Sequence, residues 1–503
     1  MTEKSIIIIG GGIAGLAAGC YGRMNGFRTR IYELHKKKPG GLCTAWKRQG
    51  YTINGCLHWL IGSGPGSKFH MIWRELGALE GMKIVDFEEY GRFESIADGT
   101  LIIPTDMDRF EKRLIEIAPQ DRLLIREFIS AVRVCMRVEL PVDKAPEVMG
   151  LFDIIKMIFK NFPFLRIIRK WNKISLKEYG DRFKHPLIRK AFPELFLPDF
   201  PVTFMLMSFA WMHKKSAGYP VGGSLEFSRS IEKRYLGLGG EMHYKSRVAK
   251  ILTEHGRAVG IKLDDGTEHR ADYVISAADG HATIFDMLEG KYIDDRIRGY
   301  YEKLLLFPPL VYIAIGVNRT FRGLPSSAGG IAVELEEPLL VGGVEQRCLG
   351  VHIYNFDPTL APEGKTVIVV MFQTDFEYWK KLRENDEQYK AEKEKLADTV
   401  VNLLDRRFPG LAAQVEMRDV ASPTTFVRYT NNWKGSFEGW QVTPKTWSIG
   451  KVMKKTLPGL DNFYMAGQWV EPGGGLPAVA LSGRNAIQII CKKERKKFTT
   501  MVP

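Results

Sequence analysis

The chain has 503 residues, 45% hydrophobic and 26% charged, with a formal net charge of +14, which predicts two or more folded domains and excludes a disordered or fibrous class. Its six cysteines form no C-x-x-C pair, so no metal site is expected and a reducing, cytoplasmic setting is. The basic balance predicts attraction to anionic surfaces, and with no nucleic-acid motif beside it the expected surface is a membrane rather than nucleic acid.

Ser5 to Ile9 is a short β-branched run, the pattern of a strand buried on both faces. Gly10, Gly12 and Gly15 follow as G-x-G-x-x-G, with Ile13 and Ala14 inside the motif and a small-residue helix predicted to Gly26. Arg28 to Glu33 reads as a second strand ending in an acid, 18 residues beyond Gly15. Strand, glycine turn, helix, strand and acid in this order predict a dinucleotide site. The pyrophosphate sits on the helix N-terminus and Glu33 accepts from the ribose hydroxyls. A lipoprotein signal reading of the uncharged stretch from Ser5 to Gly22 fails on Glu3 in its leader, and it leaves Glu33 without a purpose.

The triple lysine 36–38 reads as a solvated turn, and Gly40-Gly41-Leu42-Cys43 comes next. Here the chain resembles the FAD-dependent amine oxidase and phytoene desaturase superfamily, whose members carry a second glycine pair at this point. The resemblance implies cofactor contacts at Gly40, Gly41 and Leu42, although most members have arginine where this chain has Leu42. Tyr51 to Leu60 reads as an alternating strand running into a loop, which in that superfamily passes beside the flavin ring. His58 is therefore the candidate acid–base group, with a structural histidine bonded to a backbone carbonyl as the competing reading. Cys56 reads as a small buried residue, since no basic neighbour in the sequence would activate it.

Short strands are expected from Ile84 to Pro104 and a helix from Met107 to Met136. Gly150 to Ile174 is bulky, apolar and basic: residues 151–173 hold six Lys or Arg and one Asp. That composition predicts a basic amphipathic cap, able to lie on an anionic bilayer or to cover the protein's own core. Glu241 to Ile251 reads as one strand, pairing with Ala258 to Leu263. Ala271 to Asp279 resembles the superfamily strand that rejoins the nucleotide sheet, which implies roles for Val248 beside adenine and for Ala277 at the cofactor. Strands are expected at Leu310–Val317 and Thr366–Phe372, a charged helix at Phe376–Phe408, and an aromatic cluster around Trp433, Trp440 and Trp447. Leu457 to Gly467 reads as turn, strand and glycine, and Gln468 to Val479, with its glycine run, as leading into a second helix from Ala480. It is similar to the C-terminal FAD motif of phytoene desaturases and carotenoid isomerases, implying contacts at Gly467, Leu476 and Val479.

The expected fold is α/β: a Rossmann-type, glutathione reductase-like FAD domain (1–83, 215–290 and 450–495) interleaved with an α+β substrate domain (84–214 and 291–449). The resemblance implies an FAD-dependent oxidoreductase acting on C–C or C=C bonds of a hydrophobic carotenoid, isoprenoid or other lipid, desaturase-like. NAD(P)H is a further expectation as a transient electron donor or acceptor. Two alternatives stay open: a saturase or isomerase using reduced flavin, and a non-enzymatic prenyl-binding escort. The expected location is cytoplasmic, peripheral on the inner face of a membrane.

Overall fold

The computed structural model describes residues 3–446, 453–471 and 473–503; Trp447 and the start of the third expected FAD-domain stretch lie outside them. The elements that matter first are β1 (Ser5–Ile9), α1 (Ile13–Met24), β2 (Arg28–Tyr32), β3 (Glu241–His243), β4 (Tyr273–Ser276), β5 (Phe463–Met465) and α2 (Leu476–Lys493). The five strands form one parallel sheet in the order β3-β2-β1-β4-β5. Strand periodicity explains why β1 is apolar throughout: Ile6 and Ile8 enter one core while Ile7 and Ile9 enter another on the opposite face.

Helix α1 lies between α2 and the helix Gly223–Gly237, which accounts for its small, almost entirely buried residues. The crossing with α2 is close enough that a Cβ on Gly483 would overlap the Ala14 carbonyl oxygen.

The second layer is a seven-stranded mixed sheet. From edge to edge its strands are Val415–Ala421, Leu310–Val317, Thr366–Gln373, Val344–Ile353, Ser327–Val341, Glu89–Ser95 and Gly99–Pro104. Alternation again divides its side chains: Val311, Ile313 and Ile315 pack under the helix Asp386–Arg407, and Tyr312 and Ala314 face the main core. That core also receives the helices Met107–Ile117, Arg122–Cys135 and Val202–His213.

Several sequence expectations divide. The helix expected over Met107–Met136 breaks at a 3-10 turn beginning with Pro119, whose ring cannot continue the preceding helix. The charged helix over Phe376–Phe408 breaks at Asn385, which caps its second half by accepting the N–H groups of Glu387 and Gln388. The strand expected over Glu241–Ile251 is two strands in two sheets, interrupted where Lys245 takes φ +55°. The basic cap is a helix pair, Leu151–Lys160 and Phe162–Trp171. The first of these buries none of its residues, and Leu151, Phe152 and Phe159 are 75%, 78% and 79% exposed. Among the described residues no helix is long and apolar enough to cross a membrane.

Candidate flavin site

The β1–α1 turn has the geometry a pyrophosphate requires. Gly10 takes φ +96°, a conformation that disfavours side chains, and a Cβ on Gly15 would overlap the Gly10 carbonyl oxygen. A Cβ on Gly12 would meet no atom nearer than 3.8 Å, so open space lies in front of that backbone. Gly12 caps α1 without a side chain, and no acid stands in the first turn. The N–H groups and positive end of the helix are thus left for an anion.

Glu33 closes the other side of this turn. Its carboxylate accepts the Gly11 N–H at 2.6 Å and the His35 N–H at 2.6 Å. Burial raises its pKa against those two hydrogen bonds. Each oxygen keeps a lone pair, so the group can still accept ribose hydroxyls. The chain leading to Val248 passes the same spot, because Ser246 N–H donates to the Glu33 carbonyl at 2.9 Å. Val248 then opens the strand Val248–Glu254.

The second glycine pair is laid onto the first: Gly40 N–H donates to the Gly11 carbonyl at 2.8 Å, and Gly12 and Gly40 form a parallel bridge. Leu42 follows, half-buried. Ala277 N–H donates to the Ile9 carbonyl at 2.8 Å and holds its own carbonyl against Gly10. Gly467 N–H donates to Ser482 Oγ at 2.7 Å, tying the last loop to α2, and a Cβ on Gly467 would stand 3.8 Å from the Ala14 Cβ. Gly10, Gly12, Gly15, Gly40, Ala277 and Gly467 therefore meet around one end of α1. Leu476 and Val479 belong to the first turn of α2, a second helix end without a side-chain cap on Gly475.

His58 makes its contacts elsewhere. Its Nδ1 lies 3.3 Å from the Tyr354 hydroxyl, and its ring centroid is 4.7 Å from that of His352. Burial lowers the His58 pKa to about 4 and, with His58 beside it, drives His352 well below its ordinary value. Both imidazoles are neutral near pH 7. They line an open recess with Ser327, Tyr354 and Phe356. Behind it, Asn54 donates to the Leu57 carbonyl at 2.6 Å and accepts from Ser224 Oγ at 2.6 Å, fixing the loop that carries His58.

The structure adds a residue that the sequence reading passed over. Glu438 accepts the Gly475 N–H at 3.1 Å, at the mouth of α2. Burial pushes its carboxyl up to about 7, against the lowering effect of that hydrogen bond. Asp279, buried just beyond Ala277, is likewise pushed to about 7 by burial, against the Ala282 and Trp433 N–H groups it accepts. A run of packed aromatic rings ends beside Glu438, its middle members Phe200 and Phe307 fully buried in the core. Half-buried Phe196 and Phe204 lie with ring centroids 4.7 Å apart and planes tilted by 34°, Phe200 lies 4.9 Å from Phe204 and 5.6 Å from Phe307, and Phe307 lies 5.1 Å from Phe437. The one local sign of Glu438 was an acid set among Gly, Ser, Phe and Trp in Gly435–Trp440.

This arrangement matches known proteins along nearly its whole length. Residues 13–491 match the family of flavin containing amine oxidoreductases. Prolycopene isomerase from the chloroplast of Daucus carota is 24% identical over 501 residues, covering 96% of this chain and 79% of that protein. A neurosporene-forming phytoene desaturase of Rhodobacter capsulatus is 25% identical over 519 residues, covering 96% and 93%. The crystal structure of an oxidoreductase from Methanosarcina mazei has the same fold, with a TM-score of 0.59 at 20% identity over 96% of this chain and 100% of that one. The chain belongs to the flavin containing amine oxidoreductase family and is an FAD-dependent oxidoreductase.

Proposed function

We propose that the enzyme acts on a long, apolar, conjugated isoprenoid and removes hydrogen across its C–C bonds. The aromatic track from Phe196 to Phe437 carries this reading, because it joins the helical layer to the mouth of α2 with apolar faces and no charged group among its five rings. Similarity over 96% of this chain to relatives named for phytoene and prolycopene supports the same substrate class. FAD, when bound, supplies the two-electron hydride step. The chain's own part is to seat the cofactor on Gly10–Gly15 and Glu33, hold the hydrocarbon along the phenylalanines, and keep water out. NAD(P)H serves as the transient electron donor or acceptor, docking without a glycine-rich motif of its own.

A second reading, isomerisation or saturation of existing double bonds with reduced flavin, is favoured by one observation. Glu438 stays protonated up to a pH of about 7 and so holds a proton that a C=C bond could take. His58, neutral in its recess, is proposed as a supporting relay through the Tyr354 hydroxyl. Incubation with acyclic polyenes under oxidising and under reducing conditions, followed by mass spectrometry of the products, separates the two. Loss of two hydrogens marks desaturation, an unchanged mass with altered geometry marks isomerisation, and a gain of two marks saturation. Unchanged polyene in both conditions would reject the substrate class.

The helix Leu151–Lys160 is proposed to dock on anionic lipid, from which such a substrate would be drawn. Leu151, Phe152, Ile155, Ile158 and Phe159 present exposed apolar surface, with Lys156 and Lys160 on the same short helix. Vesicle binding should need anionic lipid and weaken with salt. Binding indifferent to both would contradict the docking.

A further inference from the structure

Two of the free cysteines stand opposite each other beside the cofactor cradle. The hairpin Ala45–Arg48/Tyr51–Asn54 pairs Ala45 with Asn54, and Gly55 N–H continues the ladder by donating to the Thr44 carbonyl at 2.9 Å. One step beyond that bond, where the chain bends and Thr44 N–H donates to the Leu42 carbonyl at 2.9 Å, stand Cys43 and Cys56. Directly opposed residues of antiparallel strands have Cα atoms roughly 4.5–5.5 Å apart, inside the span of about 4.4–6.8 Å that a disulfide bridges. Each thiol shifts the other's pKa, lowering that of Cys43 and raising that of Cys56.

Position links the pair to the flavin. Cys43 N–H donates to the Gly40 carbonyl at 2.9 Å, so this cysteine is part of the second glycine turn. On the other side, interaction with Cys43, burial and, least, Glu438 at the mouth of α2 once it ionises above about pH 7 raise the Cys56 thiol. The pair thus lies between the two helix ends that would hold the pyrophosphate and the flavin end of FAD. Burial alone would raise the Cys43 thiol, but its neighbours Cys56, Ser228 and Ser224 leave it lowered, and its Sγ donates to the Ser224 carbonyl at 3.5 Å. Cys43 is 2% exposed, which shields it from bulky oxidants in solution and favours a partner held inside the protein.

We propose that Cys43 and Cys56 are a dithiol–disulfide couple that exchanges electrons with bound FAD. Both S–H bonds break and one S–S bond forms. Oxidised flavin, when bound, would take up the two electrons and one proton, and the second proton passes to solvent. The couple lets the protein store a second pair of electrons, which the reduced-flavin reading above would draw upon; the inference rests on flavin chemistry at this site.

The test is an anaerobic reductive titration of the FAD-loaded protein, with the flavin spectrum followed throughout. Peptide masses are then measured after acid quenching and alkylation. The wild type should take up four electrons per FAD. Its oxidised form should yield Cys43 and Cys56 peptides that are linked and two hydrogens lighter, and its reduced form should yield both alkylated. Cys43→Ser and Cys56→Ser should each retain FAD and take up two electrons. Two electrons per FAD in the wild type with both cysteines alkylated throughout would overturn the proposal. So would a linked pair with a two-electron titration, which would leave a disulfide isolated from the flavin. A colourless protein that fails to bind added FAD would instead refute the flavin site itself.

Discussion

Replacing Glu438 with Gln tests whether an acid held protonated near neutrality stands at the mouth of α2. In the folded protein its carboxyl is raised from an ordinary 4.5 to about 7 because burial penalises the anion. Below about pH 4.5 the group is protonated whether the chain is folded or not, and it has no effect on stability. Between 4.5 and 7 the unfolded chain ionises while the folded one keeps its proton, so the folded state loses stability as pH rises. Above 7 the loss is complete. At about 1.4 kcal/mol per tenfold change the whole interval amounts to roughly 3 kcal/mol, and solvent reaching a half-buried group reduces this to about 1–3 kcal/mol. Glu438→Gln keeps an oxygen for the Gly475 N–H and removes the titration. The variant should therefore match the wild type near pH 4 and exceed it by about 1–3 kcal/mol at pH 8, read from denaturation midpoints across that range. Asp279 also titrates toward about 7, but it does so in both proteins, and the difference between the curves isolates Glu438. Curves that stay parallel from pH 4 to 8 would refute the reasoning.

Glu33→Ala should cut FAD retention by about 10²-fold or more through loss of charge-assisted ribose hydrogen bonds; equilibrium dialysis against FAD checks this, and unchanged retention would place the adenosine elsewhere. His58→Ala should leave FAD content intact and slow turnover by about 10²-fold if the relay carries a proton. A lowered melting temperature with near-normal turnover would make His58 a packing residue. Phe152→Ser with Phe159→Ser should weaken vesicle binding by about 10- to 10³-fold, since each ring buried at a lipid interface contributes about 1–2 kcal/mol; flotation assays measure it. Asp279→Asn should destabilise the protein by about 1–3 kcal/mol, because one oxygen cannot accept both N–H groups that Asp279 now holds; a smaller melting shift than that range implies would show the cap to be dispensable.

What the sequence made legible was local. The span from β1 to β2 could be read because a buried strand, a glycine turn and a small-residue helix each leave a periodic mark, and Glu33 sits at a fixed offset from Gly15. The C-terminal glycine run announced the second helix end for the same reason. Breaks inside helices were harder. Pro119 marks one clearly, whereas Asn385 acts through a side-chain cap visible only once the backbone turns. The strand expected over Glu241–Ile251 divides because composition does not say that its two halves join different sheets. The site's remaining groups depend on contacts distant in sequence. Phe200 meets Phe307, Phe307 meets Phe437, and Glu438 reaches Gly475. Cys43 and Cys56 are 13 residues apart in the chain and become a pair only through the hairpin register.

On the function proposed here, the FAD-loaded enzyme transforms an apolar conjugated chain held along the phenylalanines. That function is tested most directly by presenting the flavin-loaded protein with an acyclic polyene hydrocarbon in vesicles and following substrate mass and geometry together with the flavin spectrum in the same vessel. The account predicts that the polyene changes by two hydrogens or by bond geometry, that oxidised or reduced flavin is required, and that Glu438→Gln slows the change. A protein whose flavin remains redox-active toward simple amines while every polyene is recovered unaltered would contradict it.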